Sequence, residues 1–160
     1  MLATISQQQN HIIAQFERRL SYNAQQVWAV LTENHHLKHW MRNLEIVDAR
    51  KNGKMNFHML DGTDALIEMK VTDYVEQKAF AFEWGNDHVR FELQPVDTGT
   101  VLTLTETIQE LTEHTPKDLA GWHICLQLFD GVLQGAGEQE FPMEDWQQYY
   151  EKYKELLAGI

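Results

Sequence analysis

Residues 120–135 read AGWHICLQLFDGVLQG. Apolar residues occupy this run nearly all the way round a helical wheel. A surface helix carries one apolar stripe, so this one must either cross a bilayer or be covered on more than one side. Asp118, His123, Gln127, Asp130 and Gln134 interrupt it, and no stretch of the chain approaches the ~20 apolar residues of a membrane span. At about 100° per residue, Leu119, Trp122, Leu126, Phe129 and Leu133 form one stripe, flanked by Cys125, Val132 and Ala136. That stripe is expected to face a concave sheet. Ala120, Ile124, Leu128, Gly131 and Gly135 point nearly the opposite way and need a second cover. Either the segment DWQQYYEKYKELL or a second subunit of a homodimer would supply it. Gly131 and Gly135 have the small-residue spacing that lets another helix approach.

Working outward, Thr115-Pro116 predicts the start of this helix, with threonine as cap and proline at the first helical position. Gly135 and Gly137 predict its end. Residues 142–158 show three-and-four apolar spacing and predict an added C-terminal helix. Upstream, HIIAQFERRL reads as a strand preceded by a loose polar arm over residues 1–10. NAQQVWAVLTEN reads as a short helix, with Asn23 and Gln26 spaced as a capping box. LEIVDAR, KMNFHML, LIEMKVTDYV, AFAFEW, HVRFEL and VLTLTETI then follow. Most alternate with period two, and the turns between them include Asn52-Gly53, Asp61-Gly62, Gly85-Asn86 and DTGT. Such a series implies consecutive antiparallel hairpins with one covered face. The expected fold is α+β, with residues 1–160 as a single domain.

Net charge is −11 and the pI about 5.1. That argues against partners recognised through phosphates, since nucleic acid and anionic membrane surfaces are bound by clustered Lys and Arg. The single cysteine, Cys125, excludes an intrachain disulfide and a multi-cysteine metal site. The opening MLATISQQQN lacks the basic and apolar regions of a secretory signal, so a reducing cytoplasm is the expected location.

Four features bear on chemistry. Glu106 has the apolar parity of its strand. A buried carboxyl there either orients a ligand or serves as a base, or else pairs with a structural donor. His123 lies at the edge of the helix stripe, either as a hydrogen-bonding group at a cavity mouth or as a partly exposed boundary residue. HHLKH spaces His35 and His39 as a metal pair would be, but no third ligand accompanies them, and no metal or other cofactor is expected. Cys125 reads as a small buried apolar residue, because no adjacent cation lowers its pKa. No nucleophile elbow, phosphate loop or metalloprotease helix is present, which removes the common catalytic mechanisms.

Trp122 with Phe57, Met69, Phe82, Trp84 and Phe91 would make an aromatic, methionine-bearing lining suited to a flat apolar guest. The order of elements, and the stretches SYNAQQVWAVLTE, VTDYVEQKAFAFEWG, FELQPVDTGTVLTLTET and AGWHICLQLFDGVL with Trp40, resemble the helix-grip superfamily of START-like or SRPBCC domains. Within it they are most similar to the branch named after the activator of the ninety-kilodalton heat-shock chaperone's ATPase. The resemblance covers residues 11–137. It departs at Lys54, where a second glycine is common, and in having no proline before Trp40. It implies a curved antiparallel sheet gripping one long helix, with a ligand cavity between them. Trp40, Phe57, Met69, Phe82, Trp84, Phe91, Glu106, Trp122, His123, Leu126 and Phe129 would line that cavity. The leading expectation is therefore a module binding a small apolar or aromatic molecule of lipid or polyketide type. The second is a partner of the chaperone, although such activators carry a further N-terminal domain and only about ten residues precede the first strand here. The third is a cyclase or hydrolase using Glu106 and His123 as acid and base.

Overall fold

A computed structural model describes residues Met1–Ile160. In chain order the elements are β1 (Thr4–Gln8), β2 (His11–Leu20), α1 (Ala24–Thr32), α2 (Asn34–Leu37), β3 (Leu44–Asp48) and β4 (Lys54–His58). There follow β5 (Leu66–Val75), β6 (Ala79–Trp84), β7 (Asp87–Val96), β8 (Gly99–Ile108), α3 (Thr115–Leu133) and α4 (Met143–Leu157). The strands form one antiparallel sheet in the order β1-β2-β8-β7-β6-β5-β4-β3. Every neighbouring pair is a consecutive hairpin except β2 with β8. Helices α1 and α2 carry the chain from β2 to the opposite edge at β3. This is the α+β helix-grip arrangement, with α3 as the gripped helix.

Local sequence accounts for most of these elements. Asn23 Oδ1 accepts from the Gln26 N–H at 2.8 Å, and Gln26 Oε1 accepts from the Asn23 N–H at 3.1 Å, completing the capping box of α1. Asn23→Ala is expected to lower unfolding stability by about 1 kcal/mol, measured by urea denaturation. Val27, Val30 and Leu31 are buried from this helix. In the sheet, Phe80, Phe82, Val89, Phe91, Leu102 and Leu104 are buried from one face, as the alternation requires. The register of β5 on β6 shifts between Val71 and Asp73. A shift of this kind bends a strand, so it contributes to the curvature that lets the sheet wrap a helix.

Leu119, Trp122, Leu126 and Phe129 of α3 share the core cluster with those sheet residues. On its other side α3 packs against α4 of the same chain. The His123 ring stacks on Tyr149 at 3.8 Å, and Tyr153 is fully buried. The second cover is thus intramolecular. Gly131 makes room for the Gln139 side chain and not for a helix, and Gln139 Nε2 donates to the Leu128 carbonyl at 3.0 Å.

Two boundaries differ from expectation. The polar segment before β2 is not a loose arm: residues 4–8 pair with β2 from Thr4↔Gln15 to Gln8↔His11. As an edge strand with mostly exposed side chains it has no hydrophobic alternation, and backbone pairing to β2 orders it. Ahead of it, the Ala3 N–H donates to the Tyr153 hydroxyl at 3.0 Å. Helix α3 begins at Thr115, with His114 as N-cap and no side-chain cap bond. Thr115 Oγ1 instead accepts from the Thr112 N–H at 3.0 Å, while Pro116 occupies the first turn, where no N–H is needed. No helix is long and apolar enough to cross a membrane.

Candidate functional site

Where the β4–β5 and β6–β7 hairpins meet the start of α3, the surface opens into a cleft of about 420 Å³. Phe57 of β4, Ile67 and Met69 of β5 and Trp84 of β6 form its apolar wall. Asn86, Asp87, Gln109, Glu110, Thr112, His114, Thr115 and Asp118 complete the lining. Trp84 pairs with Asp87 across a two-residue turn, in which Gly85 has φ +62°. A positive φ at the first turn position matches the right-handed strand twist and favours glycine. The turn therefore sets an indole and a carboxylate side by side at the cleft.

The Trp84 ring stands 5.6 Å from Phe57 and 5.0 Å from Trp122. Its Nε1–H donates to Asp118 Oδ1 at 3.0 Å. Asp118 lies in the first turn of α3, where the helix dipole favours a negative charge. Behind it is Glu106 of β8, fully buried, with neither carboxyl oxygen accepting from an N–H or hydroxyl. The Asp118 and Asp87 carboxyls lie close enough to act on it electrostatically. A buried carboxyl beside other carboxyls holds its proton more firmly than one in water. Burial, reinforced by Asp118 and Asp87, raises the Glu106 pKa well above the ordinary value of 4.5. Glu106 therefore keeps its proton to higher pH than an ordinary carboxyl. Asp87 is also raised, by burial first, although its Oδ1 accepts from the Gln109 N–H at 3.0 Å. The Trp122 Nε1–H is buried without an acceptor.

This arrangement of sheet and helices is matched by known proteins. The model of the family described as Activator of Hsp90 ATPase homolog 1-like protein matches residues 21–158. The chain belongs to that family. Helix α4 falls within the match, so the family likeness extends past residue 137. A conserved protein of unknown function, EF2215 from Enterococcus faecalis, is 29% identical with a TM-score of 0.85, over 98% of this chain and 91% of that one. CalU16 from Micromonospora echinospora shares the fold at 16% identity and a TM-score of 0.70, over 92% and 88% of the two chains. Protein MLL2253 from Mesorhizobium loti does so at 17% identity and 0.66, over 78% and 98%. No curated protein matches the sequence.

Within this family fold, the sequence-derived candidates separate into three groups. Phe57, Met69 and Trp84 line the cleft, with Glu106 and Trp122 behind it. Trp40, Phe82, Phe91, Leu126 and Phe129 do not line it; they fill the core. The Trp40 ring meets Phe129 at 5.1 Å and Phe91 at 6.1 Å, and its Nε1–H donates to the Val30 carbonyl at 2.9 Å. The expected interior lining is thus largely a packed core, and the open space lies at its end. His123 is neither a cavity-mouth group nor a boundary residue. It is buried on the α4 side among Phe16, Tyr149 and Tyr153, apart from the cleft lining. The proposed acid–base partnership of Glu106 with His123 loses one member by this placement. Cys125 is buried, and burial pushes its thiol up to about 12, which leaves it unreactive. On the surface, His35 stands near Glu33 and His36, not paired with His39.

Asp87, Glu110 and Asp118 escaped the sequence reading. Asp118 carried a usable signal: it precedes Trp122 by four residues and so shares its helix face. Two larger recesses lie elsewhere, beside Arg90 and Glu92 of β7 and between Leu111 and α4. Neither includes Glu106 or the aromatic wall.

Proposed function

We propose that the protein binds a small apolar or aromatic molecule in the cleft at the end of α3. The observation that supports this best is the meeting of an aromatic and methionine wall with a buried carboxyl that has no donor partner. Rigid rings supply contact area, and a few polar groups fix orientation, as in small-molecule sites generally. Ligand and protein would meet on the exposed side of Trp84, with Phe57 and Met69 beside it.

A panel of lipids and aromatic compounds is expected to include at least one that raises the melting temperature. A ligand at a hundred times its Kd stabilises a fold by about 2.7 kcal/mol. Trp84→Ala is expected to weaken such binding by about tenfold or more, measured by calorimetry. If no compound shifts the melting temperature, the ligand reading loses its basis.

A second reading, interaction with the heat-shock chaperone, draws on the family description and on exposed Met59, Leu60, Leu66 and Ile67 around the β4–β5 turn. Such an apolar tip suits a protein partner. Chaperone ATPase turnover that does not change on adding the protein would remove it.

A further inference from the structure

The ligand reading leaves open what polar group the guest carries. The cleft answers through its charges. Asp87, Glu110 and Asp118 line it, no Lys or Arg does, and His114 is its one basic residue. A negatively charged guest would bring a further carboxylate or phosphate into this group, with no cation to receive it. A neutral guest would leave the charge of Asp118 balanced only by the Trp84 N–H and the helix end.

Glu106 adds an independent observation. It is fully buried behind Asp118, and its oxygens accept from no N–H or hydroxyl. A buried carboxyl in that state is short of donors. A protonated amine has three donors and one positive charge, which suits the Asp118 carboxylate and the donor-poor Glu106 together. The Trp84 ring at the same wall also offers its face to a cation.

We propose that the cleft takes a ligand with a flat apolar body and a protonated amine, the nitrogen seated against Asp118 in front of Glu106. The proposal rests on the ligand reading above and narrows it to cationic aromatic or cationic amphiphilic compounds. The apolar body lies along Phe57, Met69 and Trp84. Glu110 and Asp87 draw the cation towards the opening.

Three probes with one ring system separate the possibilities: 1-naphthylmethylamine, 1-naphthylmethanol and 1-naphthoate. Calorimetry at neutral pH on the full chain reads their affinities. The amine is expected to bind about tenfold tighter than the alcohol, with the naphthoate weakest. Asp118→Asn is expected to remove most of the amine's advantage over the alcohol. Glu110→Gln, a change at an exposed position, is expected to reduce that advantage about twofold without threatening the fold. Alcohol binding equal to or tighter than amine binding overturns the charge assignment while leaving the ligand reading in place. Failure of all three probes to bind, with a negative melting screen, removes both. Magnesium or zinc ions that bind alone and block the amine also overturn it, by assigning the carboxyls to a metal.

Discussion

Trp122→Ala is expected to lower unfolding stability by about 3–5 kcal/mol in urea denaturation. The indole is 1% exposed and contacts Trp84 and Phe91, at ring separations of 5.0 and 5.9 Å. Truncation would leave a void between the core and the cleft, and Trp84 would lose the surface that backs it. Trp122→Phe separates shape from polarity. Its indole N–H is buried without an acceptor, a state that costs about 1–3 kcal/mol in desolvation. Phenylalanine removes that N–H while keeping most of the ring contact, so the expected cost is only about 1 kcal/mol. A phenylalanine variant as unstable as the alanine one would show that volume alone decides this position.

The dependence of stability on pH is the second large expected effect, and two buried groups drive it in opposite senses. His123 is pushed down to about 3, chiefly by burial and then by the nearby charges of Arg18, the N-terminal amine and Lys152. The Tyr153 hydroxyl accepts from the Ala3 N–H and lies 2.8 Å from His123 Nδ1. A neutral imidazole can complete this bond as donor or acceptor, so burial need not cost it a partner. Between the ordinary value of 6.5 and about 3, the unfolded chain holds a proton on this residue that the folded chain lacks. The stability due to neutral His123 is therefore complete above pH 6.5 and is lost as pH falls towards 3. The slope is at most about 1.4 kcal/mol per pH unit.

Glu106 works the other way. Its folded pKa lies well above 4.5, so from that value upward the folded chain holds a proton that the unfolded chain has released. Stability from this group falls as pH rises through that window. Urea titrations of wild type, His123→Phe and Glu106→Gln resolve the two. The wild-type advantage over His123→Phe is expected to grow as pH rises from about 3 to 6.5. The stability of Glu106→Gln relative to wild type is expected to grow as pH rises above about 4.5. Parallel pH curves for all three proteins would show that neither group titrates differently on folding.

The strand alternation through Phe80, Phe82 and Trp84, the Asn23 capping box and the all-round apolar α3 made the helix-grip fold legible in the sequence. Each is a local signal that tertiary packing reinforces. Strand β1 was not legible, because its side chains are mostly exposed and its order comes from backbone pairing. Helical angle puts His123 at the edge of the stripe. Whether that edge is covered depends on where α4 lies, which no periodicity within α3 reports. The same limit applies to Phe82, Phe91 and Phe129. Their inward direction is encoded in their spacing, but whether they fill space or border it depends on how both sides pack. In the sequence Asp118 is a break in an apolar run; the fold makes it a wall of the cleft, bonded to Trp84.

The bond from Ala3 to Tyr153 also has a bearing on synthesis. A chain emerging from the ribosome has β2 early, but the neighbour that makes β2 an interior strand, β8, begins at Gly99. The hydroxyl that holds Ala3 comes later still. The apolar side of residues 12–20 must therefore wait, uncovered, until most of the polypeptide has been translated. During that interval the nascent chain is most open to chaperone capture and to mispairing with other chains.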